Sequence, residues 1–230
     1  YPLFAALALA AATLVAPAAA QDRVAVVVGA EGYPQVIGGA PGARTDARHV
    51  ADALEAEGFA VQLVEDPDET TLKRSLYDLA DRLEAAGEGA VGVFYFAGQG
   101  AQINGDTFLL PIDARTADDL TLSASALSGE LVSARLAAVA DAAALIVIDA
   151  ASPNGLTARF DLEPGLAAFD PPPGGLVIFS HYPDQVALPR QQGVSVFARA
   201  FAELVRDGRP DFEGALQALR RSVSDQSGGT

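Results

Sequence analysis

The chain has 230 residues, of which half are hydrophobic and a fifth are charged, and its formal net charge is −15. This composition is that of a globular protein and not of a disordered one. The acidic balance argues against a nucleic-acid partner, because no surplus of lysine and arginine is present to neutralise phosphates. The chain has no cysteine, which excludes disulfides, thiolate metal sites and a cysteine nucleophile together.

The first 20 residues are uncharged and rich in alanine, and they end in three alanines before Gln21. This pattern is typical of the apolar region and small-residue cleavage site of a secretory signal peptide. An uncleaved membrane anchor is the alternative, although the length is borderline for spanning a bilayer. We therefore expect a secreted or periplasmic protein with no membrane span in its mature chain. We expect the domain to cover residues 21–225 and residues 226–230 to form a flexible tail.

Strands and helices alternate along the first half of the mature chain. The β-branched run at 23–29 ends in glycine and predicts a strand buried on both faces. After a loop rich in glycine and proline, apolar residues at helical spacing predict a helix that begins at Thr45 or Asp46. A second strand over 59–66 and a second helix over 69–86 follow by the same criteria.

The third strand is predicted over 89–98, and it runs into a tight turn in which Gly98 and Gly100 flank Gln99. An Asn-Gly pair between apolar segments then predicts a β-hairpin. The remaining predicted elements, in order, are a polar loop over 114–129, a helix over 130–141, strands over 144–150 and 175–182, and amphipathic helices over 196–205 and 212–221.

This alternation predicts a single α/β domain with a mainly parallel central sheet and helices on both faces. In such sheets, functional residues gather just beyond the carboxyl ends of the strands. The segments to inspect are therefore 29–33, Asp66, 98–100, 149–152 and 180–182.

Two of these strand ends carry a family pattern. The run YFAGQG, followed by a hairpin and FLLPID, and then LIVIDAASPN, resembles the caspase-like cysteine peptidases of the bacterial metacaspase type. The helix RTDARHVADALEAEGF and the later segments PDQVA and SVFARAFAEL extend the resemblance from about Arg23 to Leu204. It implies a caspase-like three-layer sandwich.

The chain departs from this family at the two positions where the chemistry lies. In the family the third strand ends in Gly-His-Gly and the fourth in Asp-Ala/Ser-Cys, and the histidine and cysteine form the catalytic dyad. Here Gln99 and Ala151 match those positions. Alanine supplies no nucleophile, and the glutamine amide has no useful pKa. The resemblance therefore implies a catalytically inactive domain that binds a peptide or protein.

Other parts of the family's substrate cleft are matched. In metacaspase-type relatives, two aspartates hold the basic side chain of the cleaved residue, and Asp46 and Asp149 match them. The backbone N–H groups of Gly100 and Ala151 match the oxyanion hole. Each aspartate also has an ordinary explanation: Asp46 would compensate a helix dipole, and Asp149 would accept bonds from loop amides.

Two other hypotheses remain. The domain is an active hydrolase with a relocated nucleophile, Ser152 or Ser180, and His181 as the base, or it is a structural module of a longer chain. Ser152 is otherwise a turn residue, and His49 and His181 are otherwise surface or packing groups. The two histidines lack the spacing of a metal site, and no cofactor is expected.

Overall fold

In a computed structural model, the protein is described over residues 22–151, 156, 159–160, 162–180, 190–191 and 193–207. The strands are β1 (Arg23–Gly29), β2 (Ala60–Glu65), β3 (Val91–Ile103), β4 (Asp106–Leu109), β5 (Leu127–Ser128), β6 (Ala143–Ala151), β7 (Leu176–Phe179), β8 (Arg190–Gln191) and β9 (Val194–Ser195). The helices are α1 (Ala43–Ala56), α2 (Glu69–Ala86), α3 (Asp119–Ser125), α4 (Gly129–Ala137) and α5 (Val196–Asp207).

The central sheet has the order β2-β1-β3-β6-β7, and all of its pairings are parallel. The last four residues of β3, Gly100–Ile103, extend beyond the parallel sheet and pair with β4 in an antiparallel hairpin, and β4 pairs in turn with β5. Parallel neighbours require crossover connections, and α1 and α2 supply the first two. The predicted parallel sheet is confirmed.

The two faces of the sheet pack against different helices. Val27 of β1 faces the side covered by α1 and α5, where it shares a cluster with Leu54 and Phe201. Val26, its neighbour, faces the opposite side and packs with Leu76 of α2. Such alternation on a strand buried on both sides explains the unbroken apolar run in β1. The result is the predicted three-layer α/β sandwich.

The predicted turn at Gly98–Gly100 is wrong, because β3 continues without interruption through these residues to Ile103. Neither glycine has a positive φ. A β-carbon at Gly98 would lie 2.6 Å from the hydroxyl of Tyr33, and one at Gly100 would lie 2.9 Å from Leu166 Cδ2. The two glycines therefore leave room for neighbouring side chains beside the strand, and the strand itself stays extended.

Several element boundaries also differ from the predictions. Helix α1 begins at Ala43, before the predicted start, because Gly42 takes the left-handed conformation at its N-cap. The predicted polar loop over 114–129 contains α3 and β5. The sequence does contain a helix-start signal for α3, because aspartate is a favoured N-cap residue. In the structure the Asp118 side chain accepts a bond from the backbone N–H of Thr121.

Other local predictions are confirmed. Helix α2 has the predicted bounds, and Asn104 and Gly105 form the hairpin turn with φ values of 53° and 86°. The predicted helix over 212–221 lies outside the described residues. Within the described part of the chain, none of the helices is both long and apolar enough to cross a membrane.

Candidate functional site

The two positions that depart from the family pattern are direct neighbours in the sheet. Gln99 of β3 and Ala151 of β6 are paired in the parallel register, and Ala151 is the last residue of β6. Both therefore lie at the carboxyl end of the parallel sheet, where ligands bind in open α/β folds. The family resemblance implied that the two positions form a pair, and the pairing of β3 with β6 makes them neighbours.

Gln99 is held by three hydrogen bonds and has little freedom. Its backbone N–H donates to the Tyr33 hydroxyl at 3.0 Å, and its carbonyl accepts from the N–H of Leu110 at 3.0 Å. Its side-chain Nε2 donates to the carbonyl of Gly39 at 2.7 Å. The residue is only 4% exposed. Its Oε1 is buried and has no hydrogen-bond partner among the described residues.

Tyr33 connects the loop after β1 to the end of β3. Its hydroxyl donates to the carbonyl of Leu110 at 2.9 Å while it accepts the bond from Gln99. Burial raises the pKa of Tyr33 far above its ordinary value, and the bond from the Gln99 N–H only partly offsets this effect. The hydroxyl therefore stays protonated and serves as a structural donor. Nothing in the loop sequence indicates its pairing with Gln99.

A second set of contacts anchors the same loop beside β2. The Asp66 carboxylate accepts bonds from the backbone N–H groups of Glu31 and Gly32 at 2.7 and 2.9 Å, and Arg44 Nη1 lies 3.2 Å from its Oδ2. Burial acts to raise the pKa of Asp66, but the two N–H bonds and Arg44 outweigh it, so that the pKa lies below its usual value. Asp66 is thus an anchor for the loop after β1.

The two predicted acidic residues come together at Ser195. Asp46 lies in the first turns of α1 and is 3% exposed, and its Oδ1 accepts the backbone N–H of Ser195 at 2.7 Å. Asp149, near the end of β6, accepts the Tyr95 hydroxyl at 2.9 Å and Ser195 Oγ at 3.4 Å. A single serine therefore contacts both carboxylates.

Sequence reasoning missed Ser195. It is the residue before α5, and its Oγ accepts the N–H of Ala198 at 3.0 Å, as an N-cap serine does. A hydroxyl that accepts one bond can still donate another, and this one donates to Asp149. A serine preceding an amphipathic helix is a recognisable cap signal, but only the tertiary structure shows its acidic partners.

The remaining predicted residues are placed in part. Gly100 is buried and pairs with Leu109 of β4; its role and that of Ala151 in an oxyanion hole stay predictions. Ser180 is half-buried and its N–H donates to the carbonyl of Ile148 at 2.9 Å. Ser152 and His181 lie outside the described residues, so the relocated-nucleophile hypothesis stays untested. The described residues include no group of three or more His, Asp and Glu suited to a metal ion.

Comparison with known proteins identifies the family. A family model described as the caspase domain matches residues 22–230. The crystal structure of the Drosophila initiator caspase Dronc is similar to this one with a TM-score of 0.63 at 13% sequence identity, over 90% of this chain and 75% of Dronc. No curated protein matches the sequence. At this identity the structural likeness shows the fold alone, but the family match spans the whole described domain, and the chain therefore belongs to the caspase-domain family.

Proposed function

We propose that this caspase domain binds a peptide or protein segment without cleaving it. The observation that carries the proposal is the register pair of Gln99 and Ala151 at the carboxyl end of the sheet. Peptide hydrolysis by a cysteine peptidase needs a thiolate and a group that can protonate the leaving amine. Alanine cannot attack, and the Gln99 amide is bonded to Gly39 and does not exchange protons near neutral pH.

The proposed ligand carries a basic side chain, as the metacaspase-type resemblance implies. Asp46 and Asp149 both contact Ser195, so their carboxylates are close together. Asp46 is buried and Asp149 is half-buried. Two neighbouring carboxylates attract a cationic side chain. The guanidinium of an arginine side chain fits paired carboxylates, because its planar N–H groups can bond to both.

A binding measurement tests the acidic pocket. We expect an arginine-containing peptide to bind to the chain, and an otherwise identical peptide with neutral citrulline to bind at least about tenfold more weakly, since charge-assisted bonds are the strong ones. Asp46→Asn and Asp149→Asn should each weaken binding of the arginine peptide. Asp52→Asn, at an exposed position on the same helix as Asp46, is the control and should leave affinity unchanged. Equal affinity for both peptides, or an unaffected double variant, would contradict the pocket.

Activity assays test the absence of cleavage. Purified chain that is free of contaminating peptidase should not cleave fluorogenic arginyl or lysyl peptide substrates at any protein concentration. A serine-reactive fluorophosphonate probe should not label it. Labelling that disappears in Ser152→Ala or Ser180→Ala would replace this proposal with the serine hydrolase hypothesis.

The location of the protein is part of the same proposal. The apolar residues 1–20 support secretion or transport to the periplasm. Amino-terminal sequencing of the exported protein should find a chain that starts at Gln21. A chain that keeps residues 1–20 and stays with the membrane fraction would favour the anchor instead.

A further inference from the structure

The side-chain amide of Gln99 is satisfied at one end only. Its Nε2 is committed to Gly39 by a bond of 2.7 Å, which fixes the orientation of the amide. Its Oε1 is buried without a hydrogen-bond partner in the described part of the chain. A buried carbonyl oxygen without a partner destabilises a protein. We therefore ask whether a ligand could supply the missing hydrogen-bond donor.

A short segment of the loop after β1 covers this amide. We call it the strap, residues 38–42, with the sequence GGAPG. Its two ends, Gly38 and Gly42, take left-handed backbones with φ of 92° and 87°, which glycine adopts without strain. Between them, Gly39 and Pro41 are exposed. The carbonyl of Gly39 is the strap's hydrogen bond to Gln99, and the carbonyl of Ala40 accepts the N–H of Ala43 at 3.1 Å. A movement of the strap breaks both bonds, and the glycines at its two ends can absorb the change in backbone direction.

The surroundings of Gln99 specify what would satisfy its Oε1. The carbonyl oxygen of an amide accepts only hydrogen-bond donors. Gln99 lies at the carboxyl end of the sheet beside Ala151, which is two residues beyond Asp149 on β6. A peptide whose basic side chain is held by Asp46 and Asp149 would bring its backbone N–H groups to the same sheet end.

We propose that Gln99 is a peptide-binding residue: its Oε1 accepts a backbone N–H of the bound peptide when the strap over residues 38–42 moves aside. This inference rests on the proposed peptide-binding function, and it assigns to Gln99 the role of a hydrogen-bond acceptor for the ligand backbone. The position is then a hydrogen-bonding position for a ligand amide.

Ester analogues of the ligand test this inference without altering the protein. The probes are an acetylated pentapeptide amide with arginine as its central residue and analogues in which one backbone amide at a time is replaced by an ester, which lacks the N–H. For the wild-type chain, one ester should bind about five- to tenfold more weakly than the peptide, the loss expected for one hydrogen bond to a buried acceptor.

The same peptide and ester probes are then measured with the Gln99→Leu variant. In this variant the sensitive ester should bind as well as the peptide, because the acceptor is gone. The control is Gln102→Leu, which changes the same residue type on the same strand and should keep the five- to tenfold difference.

The outcomes separate the two proposals. Peptide binding with no ester that depends on Gln99 would overturn the role of Gln99 and leave the peptide-binding function in place. An ester effect that persists in Gln99→Leu would also overturn it. The absence of any binding of the arginine peptide to the wild-type chain would overturn both.

Discussion

The hydroxyl of Tyr33 occupies the space that a side chain on Gly98 would need, with only 2.6 Å between the Tyr33 oxygen and the position of a β-carbon. This close approach lets the hydroxyl reach the N–H of Gln99, the next residue along β3. The absence of a side chain at Gly98 thus allows the loop after β1 to bond to β3.

Gly98→Ala should therefore destabilise the protein. The added methyl group would displace Tyr33 and crowd Phe96 and the carbonyl of Ala30, and overpacking of this kind costs about 1–3 kcal/mol. Urea unfolding of Gly98→Ala, Tyr33→Phe and the double variant would measure the effect. Because Tyr33→Phe removes the clashing oxygen, the double variant should be more stable than the sum of the single effects predicts. Additivity within about 0.5 kcal/mol would show that Tyr33 and Gly98 are not coupled.

Ser195→Ala should lower stability more than the loss of a helix cap alone. Replacing an N-cap serine by alanine costs about 1 kcal/mol, and Ser195 also donates to Asp149. The matched control is Ser128→Ala, since Ser128 caps α4 through the N–H of Leu131. Chemical unfolding of both variants would compare them; equal losses would mean that the contact with Asp149 contributes nothing measurable.

Gln99→Glu should destabilise the protein more than Gln99→Leu does. The glutamate would place a carboxylate oxygen against the carbonyl of Gly39, where the amide now donates. It would also bury a charge, and uncompensated buried charges cost about 3 kcal/mol or more. Thermal and urea unfolding at neutral pH would rank the two variants. Burial raises the pKa of a glutamate, so the difference should shrink as the pH falls towards about 4 and should be absent below it, where an exposed glutamate is also protonated. An equally stable Gln99→Glu would contradict the geometry of this amide.

His49 should make the protein less stable as the pH falls. Burial lowers the pKa of His49, and Arg206 and Arg199 on α5 lower it further, against the opposite effects of Asp52 and Glu203. The unfolded chain therefore binds a proton at higher pH than the folded chain does. The free energy of unfolding should therefore be unaffected by His49 protonation above the unfolded pKa of about 6.5, and it should decline as the pH falls below that value.

The measurement is the free energy of unfolding of the wild type and of His49→Gln between about pH 5 and pH 8. The difference between the two proteins isolates His49, because the rest of the chain is the same in both. A difference that does not change with pH would show that His49 has the same pKa in the folded and unfolded chains.

Local periodicity carried much of the fold prediction. The unbroken apolar run of β1 and the helical spacing of apolar residues in α2 are properties of adjacent residues, and both elements appear where they were expected. Local signals were weaker at Gly98 and Gly100. Their pattern predicted a turn, but both glycines lie within a strand, where Tyr33 and Leu166 approach the backbone closely.

The sequence by itself determined the parallel α/β sheet, the family and the absence of a cysteine nucleophile, because these depend on residue types and on the order of strands and helices. Only the tertiary structure decided which groups meet at the site. Ser195 bonds to Asp46 across 149 residues of sequence, and Gln99 reaches Gly39 across 60. Contacts between such distant segments are set by how the layers pack, and no local pattern in the chain encodes them.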